Sequence, residues 1–420
     1  MGVLDKMLDM EVRRAFLERK KGSYNVPEEE LAQLSDYILS DACTEEIARL
    51  KDGDFFFEPP RLTMLRKKSS GKRRRIYRFR DNEAMIMKLM AFVMHDFDWL
   101  YSDSLYSFRV GRHISGIFRE ISKNDYSRTH WVIKSDISSF GDSVDPDILV
   151  GQLEELFGES DRPLFGFFKA LLTRGEYIER DGSLVHGPTG AMSGCALTNF
   201  FENIYLRDVD DMIISRSSYY CRFADDMAIF FAERKDAEET YDILKSQLSE
   251  RGLAFNTSKT DIVAPGETFE LLGFSVSAGE YDISENSMQK IEWKLRHYAD
   301  RLIRLQRRDL ITASEAEQRM IDRIDRYFFG ADRFRNELNW VDWSFSVLTR
   351  CDSLRRLDEC AQDCIRIAGS GGKRNRARYR VRYNEMRARG YRTLVHAYYH
   401  GYDRTGEDNV TVRKKVMKSI

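Results

Sequence analysis

Hydrophobic positions follow two periods along the chain. Short runs with strand character fall in the middle: WVIKSDI at 131–137, 219–224 and 227–231 on either side of Asp225 and Asp226, and two runs near 260–264 and 269–277. Helical spacing predicts helices over 27–51, 82–101, 145–158, about 190–215 and 234–251. The first of these opens on Pro27, with Glu28, Glu29 and Glu30 in its first turn. KSSGK in 61–80 and Asp181-Gly182 in 176–186 supply turn chemistry for two hairpins. Beyond about 285 the pattern is nearly all helix, long and charged, with Leu295, Tyr298, Leu302 and Leu305 spaced for one buried stripe. Strands confined to the middle, with helices around and after them, predict an α+β fold with a helical C-terminal region.

One stretch disturbs the pattern. In YYCRFADDMAIFF, residues 219–231, two acids sit between two apolar, aromatic-rich runs. A hairpin tip would expose them while its flanks pin the tip to a core. Asp is a common turn residue, so this alone also fits a solvated turn. Asp136 changes the reading, because it too directly follows an apolar strand. Adjacent strands would bring Asp136 beside Asp225 and Asp226. Clustered carboxylates cannot all ionise unless cations neutralise them. Hard oxygen ligands on strand ends suit Mg²⁺ or Mn²⁺, and two such ions could support phosphoryl transfer to a nucleotide.

Composition adds location rather than class. The chain has 420 residues, is 42% hydrophobic and carries a net charge of −1, enough for a sizeable core in two or three domains. Its positive charge is concentrated. Residues 61–80 hold ten Lys/Arg and no acid, and 371–420 hold fourteen against four Asp/Glu. Two basic regions in a neutral chain point to a polyanion held at chosen places, or to solvated basic faces. No run approaches a transmembrane length, and MGVLDKMLDM has neither a signal-peptide pattern nor a myristoylation signal, which predicts a cytoplasmic protein with no membrane partner. Six cysteines show no paired framework, and Cys360 and Cys364 lack a CxxC or nearby His to complete a zinc site.

The motifs, taken in order, resemble a reverse transcriptase. WVIKSDISSFGDSVDPDIL (131–149) resembles the first palm motif of that family. GPTGAMSGCALTNFFENIYL (187–206) is similar to the second, RFADD (222–226) to its aromatic-x-Asp-Asp motif, NTSKTDIV (256–263) to the Lys-containing motif and FELLGF (269–274) to the primer-grip hairpin. Upstream, GKRRRIYRF and SLYSFRVGR resemble fingers motifs of bacterial and intron-type enzymes. The resemblance covers about 60 to 275.

It implies a right-hand polymerase: fingers and palm of antiparallel sheet plus helices, then an all-helical thumb. The implied bounds are a helical extension over 1–55, fingers and palm over 56–284, thumb over 285–370 and a basic RNA-binding segment over 371–420. By position, Asp136 and Asp225 would ligate two Mg²⁺ ions with the carbonyl of Ile137, and Asp226 would support the metal or the primer end. Lys72, Arg74 and Arg75 would hold the triphosphate. Lys259 would donate a proton to the leaving pyrophosphate, unless it is simply a surface lysine. Gly190 would allow close backbone approach to nucleotide or template.

Departures are specific. The family usually has an aromatic five residues after the first Asp, which blocks a ribose 2′-hydroxyl. Here that position is Gly141, preceded by Phe140. Either Phe140 takes the gate role or ribonucleotides are excluded less strongly than usual. The Pro-Gln-Gly of the second motif is Pro188-Thr189-Gly190. Arg109 and Arg112 are candidate nucleic-acid contacts. So are Arg374, Arg376, Arg378 and Arg380, in a segment that interleaves arginines with tyrosines and could instead pack on the thumb.

Retron, maturase, endonuclease and diversity-generating signatures are not evident. By size and elimination the chain most resembles the unknown-group, defence-associated reverse transcriptases of bacteria, of the class 2 kind. Its implied partners are dNTPs, a cognate structured noncoding RNA as template and the cDNA product. The rival readings are a retron- or intron-type reverse transcriptase, a palm polymerase with relaxed sugar selectivity, making RNA or starting without a primer, a tyrosine-primed synthesis, and a non-catalytic RNA-binding scaffold.

Overall fold

A computed structural model describes residues 2–21, 27–66, 73–330, 339–373 and 377–401. The chain divides into two compact units, one of residues 1–113 with 129–265 and one of 114–128 with 266–420. The expected palm–thumb bound at 284/285 lies inside the second unit. The architecture is α+β.

The first unit holds eight strands among its described residues: β1 (Arg61–Arg66), β2 (Arg73–Arg78), β3 (Trp131–Asp136), β4 (Glu176–Ile178), β5 (Leu184–His186), β6 (Tyr219–Phe223), β7 (Asp226–Phe231) and β8 (Asp261–Val263). They form two sheets. One is ordered β6-β7-β3-β8, and each of its neighbouring pairs is antiparallel. Its central strands are apolar without alternation because both faces are covered. Val132, Ile133 and Met227 to Phe231 are buried, helix Arg234–Glu250 packs on β3 and β7, and helix Arg207–Arg216 packs on β6. Each such side chain contributes about 2 kcal/mol by leaving water.

The other sheet is ordered β2-β1-β4-β5. β1 and β2 form the expected basic hairpin, pairing from Arg61 opposite Arg78 to Arg66 opposite Arg73. This sheet is mixed rather than wholly antiparallel, because β4 joins β1 in parallel at Arg61 and Ile178.

Two predicted helices break where the backbone demands it. The 27–51 helix is two, Glu28–Ile38 and Asp41–Lys51, because the Ser40 hydroxyl accepts from the Cys43 N–H and starts a new helix. The 190–215 helix begins only at Thr198, as Thr198–Tyr205 followed by Arg207–Arg216. Gly190, Met192 and Gly194 hold positive φ of 59°, 53° and 104°, which a right-handed helix cannot contain.

The second unit contains helix Ile114–Lys123 and a three-stranded antiparallel meander: β9 (Phe269–Leu271), β10 (Phe274–Ser277) and β11 (Glu280–Ile283). The last strand had no clear sequence signal. Two-residue turns at Leu272-Gly273 and Ala278-Gly279 hold positive φ throughout, which is the hairpin geometry that glycine favours. Phe118 of the helix packs edge-on against Phe274 and Tyr281. Helices Glu285–Gln306, Ala313–Phe329 and Asp352–Gly369 pack on one another. The first buries Met288, Ile291, Leu295, Ala299, Leu302 and Ile303, so the expected stripe keeps Leu295 and Leu302, with Tyr298 and Leu305 half-buried at its edge. Among the described residues no helix is long and apolar enough to cross a membrane.

Candidate active site

β6 and β7 are joined by a two-residue loop, since Phe223 pairs directly with Asp226. The loop is Ala224-Asp225, so Asp226 is the first residue of a strand rather than part of the turn tip. Ala224 holds φ of 57°, a conformation costing a side chain on the order of 1 kcal/mol. β3 lies antiparallel beside β7, and its last residue, Asp136, stands opposite Asp226. The Ile137 N–H donates to the Asp225 carbonyl at 3.1 Å, tying the end of β3 to the loop. Sheet register thus brings the three acids to one end of the sheet.

Their charge is answered by two ammonium groups. Lys134 donates to Asp226, and Lys259 Nζ lies 2.6 Å from Asp136 Oδ1. Asn256 Nδ2 donates to Asp136 Oδ2 at 3.0 Å, and the Asn256 N–H donates to the Asp136 carbonyl at 2.7 Å. Burial pushes the Asp226 carboxyl above its ordinary value; Lys134 opposes this, and Asp225 and Asp136 add to it. Burial disfavours the Lys259 charge, but the hydrogen bond to Asp136 and the field of the three acids outweigh it, so Lys259 holds its proton more tightly than an ordinary lysine.

A buried ion pair braces the loop from below. Arg222 is fully buried and grips Asp210 with Nε at 2.8 Å and Nη2 at 2.5 Å. Its Nη1 donates to the Ala224 carbonyl at 3.3 Å, and the Tyr220 hydroxyl donates to Asp210 at 2.7 Å. The pair therefore reaches the strained residue of the acidic loop.

Glycines set the second wall. A Cβ on Gly190 would lie 2.2 Å from the Gly141 carbonyl oxygen, so at this point the loop after Pro188 and the turn after β3 meet backbone to backbone. The Ala191 N–H donates to that carbonyl at 2.8 Å. Phe140 is 4% exposed and belongs to the hydrophobic core. Its side chain thus packs into the core, whereas the expectation had it beside the nucleotide as the aromatic gate. Glu202, which sequence reasoning missed, points at Gly141 instead. Burial pushes its carboxyl up to about 7, with Asp225 adding to the effect and Arg74 and Arg222 opposing it. Asp142 is likewise raised by burial and held down by Arg75 and Arg74. The fields of Arg74 and Arg75, on β2, therefore reach the turn at Gly141. The Arg75 guanidinium also stacks over Tyr77 and Tyr177 at 5.4 and 5.1 Å. Lys72 lies outside the described residues.

Arg109 and Arg112, expected to contact nucleic acid, are engaged within the first unit. Arg109 is a loop staple: its guanidinium donates to the carbonyls of Ser102, Leu105 and Asp98, and its side chain is 10% exposed. Three of its five donors are thus engaged within its own loop, whereas the expectation placed it on nucleic acid. Arg112 is paired with Asp103. Arg380 is exposed on the short helix Ala377–Arg380. Arg374 and Arg376, and the side chain of Arg378, lie outside the described residues. Of the missed residues, Lys134 carried a signal: it lies two before Asp136 in a strand, hence on the same face. Glu202 carried one too, as an acid inside the apolar run TNFFENIY.

The donor set suits a hard divalent cation. Two lysines now neutralise acids that desolvation and mutual repulsion would otherwise protonate, and carboxylate oxygens match Mg²⁺ or Mn²⁺. Among the described residues, no three Asp, Glu, His or Cys side chains form a ready-made metal cage.

Residues 65–276 match the model of the reverse transcriptase (RNA-dependent DNA polymerase) family, and the chain belongs to that family. A curated relative, an uncharacterized 91 kDa protein in a cob intron of Schizosaccharomyces pombe, is 26% identical over 186 residues. That alignment spans 44% of this chain but 22% of the relative's length. Among solved structures, apo telomerase of Candida tropicalis matches 86% of this chain and 65% of its own, at 10% identity and a TM-score of 0.43. A telomerase of Candida albicans, in complex with a fragment of telomeric RNA, matches 87% of this chain and 67% of its own, at 11% identity and a TM-score of 0.42.

Proposed function

We propose that the chain is an RNA-directed DNA polymerase that copies a cognate structured noncoding RNA into cDNA. The observation that carries this reading is the meeting of Asp136, Asp225 and Asp226 at one sheet end, with Lys259 on Asp136. In it, Asp136, Asp225 and the Ile137 carbonyl hold two Mg²⁺ ions, for which Mn²⁺ can substitute. Bound there, the ions would lower the pKa of an attacking hydroxyl and stabilise phosphate charge. Arg74 and Arg75 orient the triphosphate, with Lys72 beside them in sequence. Lys259 keeps a proton that it can give to pyrophosphate. Arg222 and Asp210 hold the acidic loop in place. The basic segment after 371 grips the RNA. A role in antiphage defence, as in the bacterial reverse transcriptases that the sequence resembles, is the biological part of this proposal.

The test is labelled dNTP incorporation by the purified protein with its co-purifying RNA, beside Asp225→Ala/Asp226→Ala. Metal-dependent DNA synthesis lost in the double variant is expected, and the product sequence names the template. Equal synthesis by both proteins would overturn the assignment of the acids. RNA bound without synthesis by either would favour a scaffold.

A further inference from the structure

A Cβ on Gly141 would stand 2.6 Å from Ser193 Oγ and 2.8 Å from Glu202 Oε1. The space beside residue 141 is therefore occupied by a hydroxyl and a carboxylate. Glu202 is 6% exposed and Ser193 is 2% exposed, so both groups are desolvated. The polar character continues outward: Asp142 Oδ1 and Thr189 Oγ1, on the same two segments, are buried without a hydrogen-bond partner among the described residues.

Asp225 and Arg74 are among the charged groups acting most strongly on Glu202. Glu202 thus feels the charge of both the acidic loop and the arginine strand, the two places proposed to hold metal and triphosphate. An apolar ring here would repel a hydroxyl by size and by lack of hydrogen bonds. A buried carboxylate does the reverse. A donor hydroxyl would give it a charge-assisted hydrogen bond, which is stronger than a neutral one. A site built to bond a substrate hydroxyl discriminates against the analogue that lacks it.

We infer that Glu202, together with Ser193, receives a sugar hydroxyl of the incoming nucleotide and so makes ribonucleotides substrates alongside deoxyribonucleotides. This rests on the polymerase reading above. Glu202 takes the place of the family's aromatic gate and acts in the opposite sense, by acceptance rather than exclusion.

The test compares the native chain with Glu202→Ala and the near-isosteric Glu202→Gln, which guards against misfolding of the alanine variant. Single-nucleotide incorporation of GTP and dGTP is measured on one primed template. The native chain should use GTP within about a hundredfold of dGTP, and Glu202→Ala should lose at least about tenfold more on GTP than on dGTP. Glu202→Gln, which keeps an acceptor oxygen, should fall between. Strong dGTP preference unchanged by Glu202→Ala would overturn the inference. So would the opposite sign, with Glu202→Ala admitting GTP that the native chain refuses. If no variant polymerises, the polymerase reading fails by itself, and the sugar contact is read from thermal unfolding with GTP or dGTP in Mg²⁺. Greater stabilisation by GTP in the native chain, lost in Glu202→Ala, supports the contact, and equal stabilisation in both proteins overturns it.

Discussion

Lys259 Nζ stands 2.6 Å from Asp136 Oδ1, so the carboxylate proposed to bind metal already holds a cation of the protein's own. A divalent ion arriving at Asp136 must displace or share that ammonium. Lys259 holds its proton beyond its ordinary range, so the competition persists across neutral pH. Lys259→Met should therefore tighten Mn²⁺ binding, titrated by the EPR signal of the free ion. The gain should be only a few-fold, because a half-exposed pair is worth about 1 kcal/mol or less. Turnover should move the other way, falling about a hundredfold if the lysine delivers the proton. Unchanged Mn²⁺ affinity would mean that Lys259 leaves Asp136 free for metal.

Glu202 predicts a pH dependence of stability. Its carboxyl is raised from 4.5 to about 7 in the folded chain. The folded state therefore binds its proton more tightly than the unfolded state does. The resulting stability is fully present below pH 4.5 and is lost as pH rises through about 7. Glu202→Gln keeps the shape without the charge. It should be the more stable protein at pH 8, by roughly 2–3 kcal/mol, and indistinguishable near pH 4.5. Urea unfolding in EDTA at the two pH values checks this. A variant less stable at pH 8 would mean that the carboxylate is paired when folded.

The Arg222–Asp210 pair should show the asymmetry of buried ions. Asp210→Asn would leave the fully buried guanidinium uncompensated, at a cost of about 3–5 kcal/mol. Replacing both partners, as in Arg222→Met/Asp210→Leu, should cost less than Asp210→Asn alone, because no charge is stranded. Denaturant midpoints of the three proteins decide it. The double variant should still polymerise poorly, since Arg222 also holds the Ala224 carbonyl of the acidic loop. Full activity in the double variant would reduce the pair to a stability element.

Much of the sheet that carries the acids was legible in the sequence. β3, β6 and β7 are short apolar runs whose ends are marked by Asp136, Asp225 and Asp226, and local hydrophobicity suffices to find them. Ambiguity enters where a long-range partner decides. The 190–197 stretch has helical composition but folds as a loop, because Gly190 meets Gly141 and the Tyr77 N–H bonds the Ser193 carbonyl at 2.8 Å. Neither contact has a local signal. Phe140 resembled a gate residue by its place beside Gly141, yet tertiary packing turns it into the core. Glu202 was visible as an acid inside the apolar run TNFFENIY, but its role shows only once its facing glycine, Gly141, is known.

Arg109 was expected to touch nucleic acid and instead ties three backbone carbonyls of its own loop. Arg109→Ala should destabilise the chain by about 1–3 kcal/mol, since those carbonyls lose their charged donor. RNA affinity per folded molecule should stay within twofold, roughly the change of one weak surface contact. Urea unfolding and filter binding on the same preparations separate the two effects. A large loss of affinity with unchanged stability would return Arg109 to the interface.

Gly190 offers the sharpest steric test, because what opposes it is backbone. A Cβ there would sit 2.2 Å from the Gly141 carbonyl oxygen and 3.0 Å from Asp142 Cα, and no rotamer change relieves either contact. The φ of 59° adds a further penalty for any side chain. Gly190→Ala must therefore push the 189–194 loop away from the turn after β3. That movement breaks the Ala191 N–H bond to Gly141 and carries Ser193 away from Gly141. Nucleotide use should fall at least about a hundredfold, in line with a 1 Å displacement of a positioned group. Gly182→Ala is the control, since nothing lies within 4 Å of its Cβ position although its φ is also positive, at 90°. It should lose only the strain cost, about 1 kcal/mol of stability, and keep its activity. Equal activity in the two variants would mean that the loop and the turn do not need to touch.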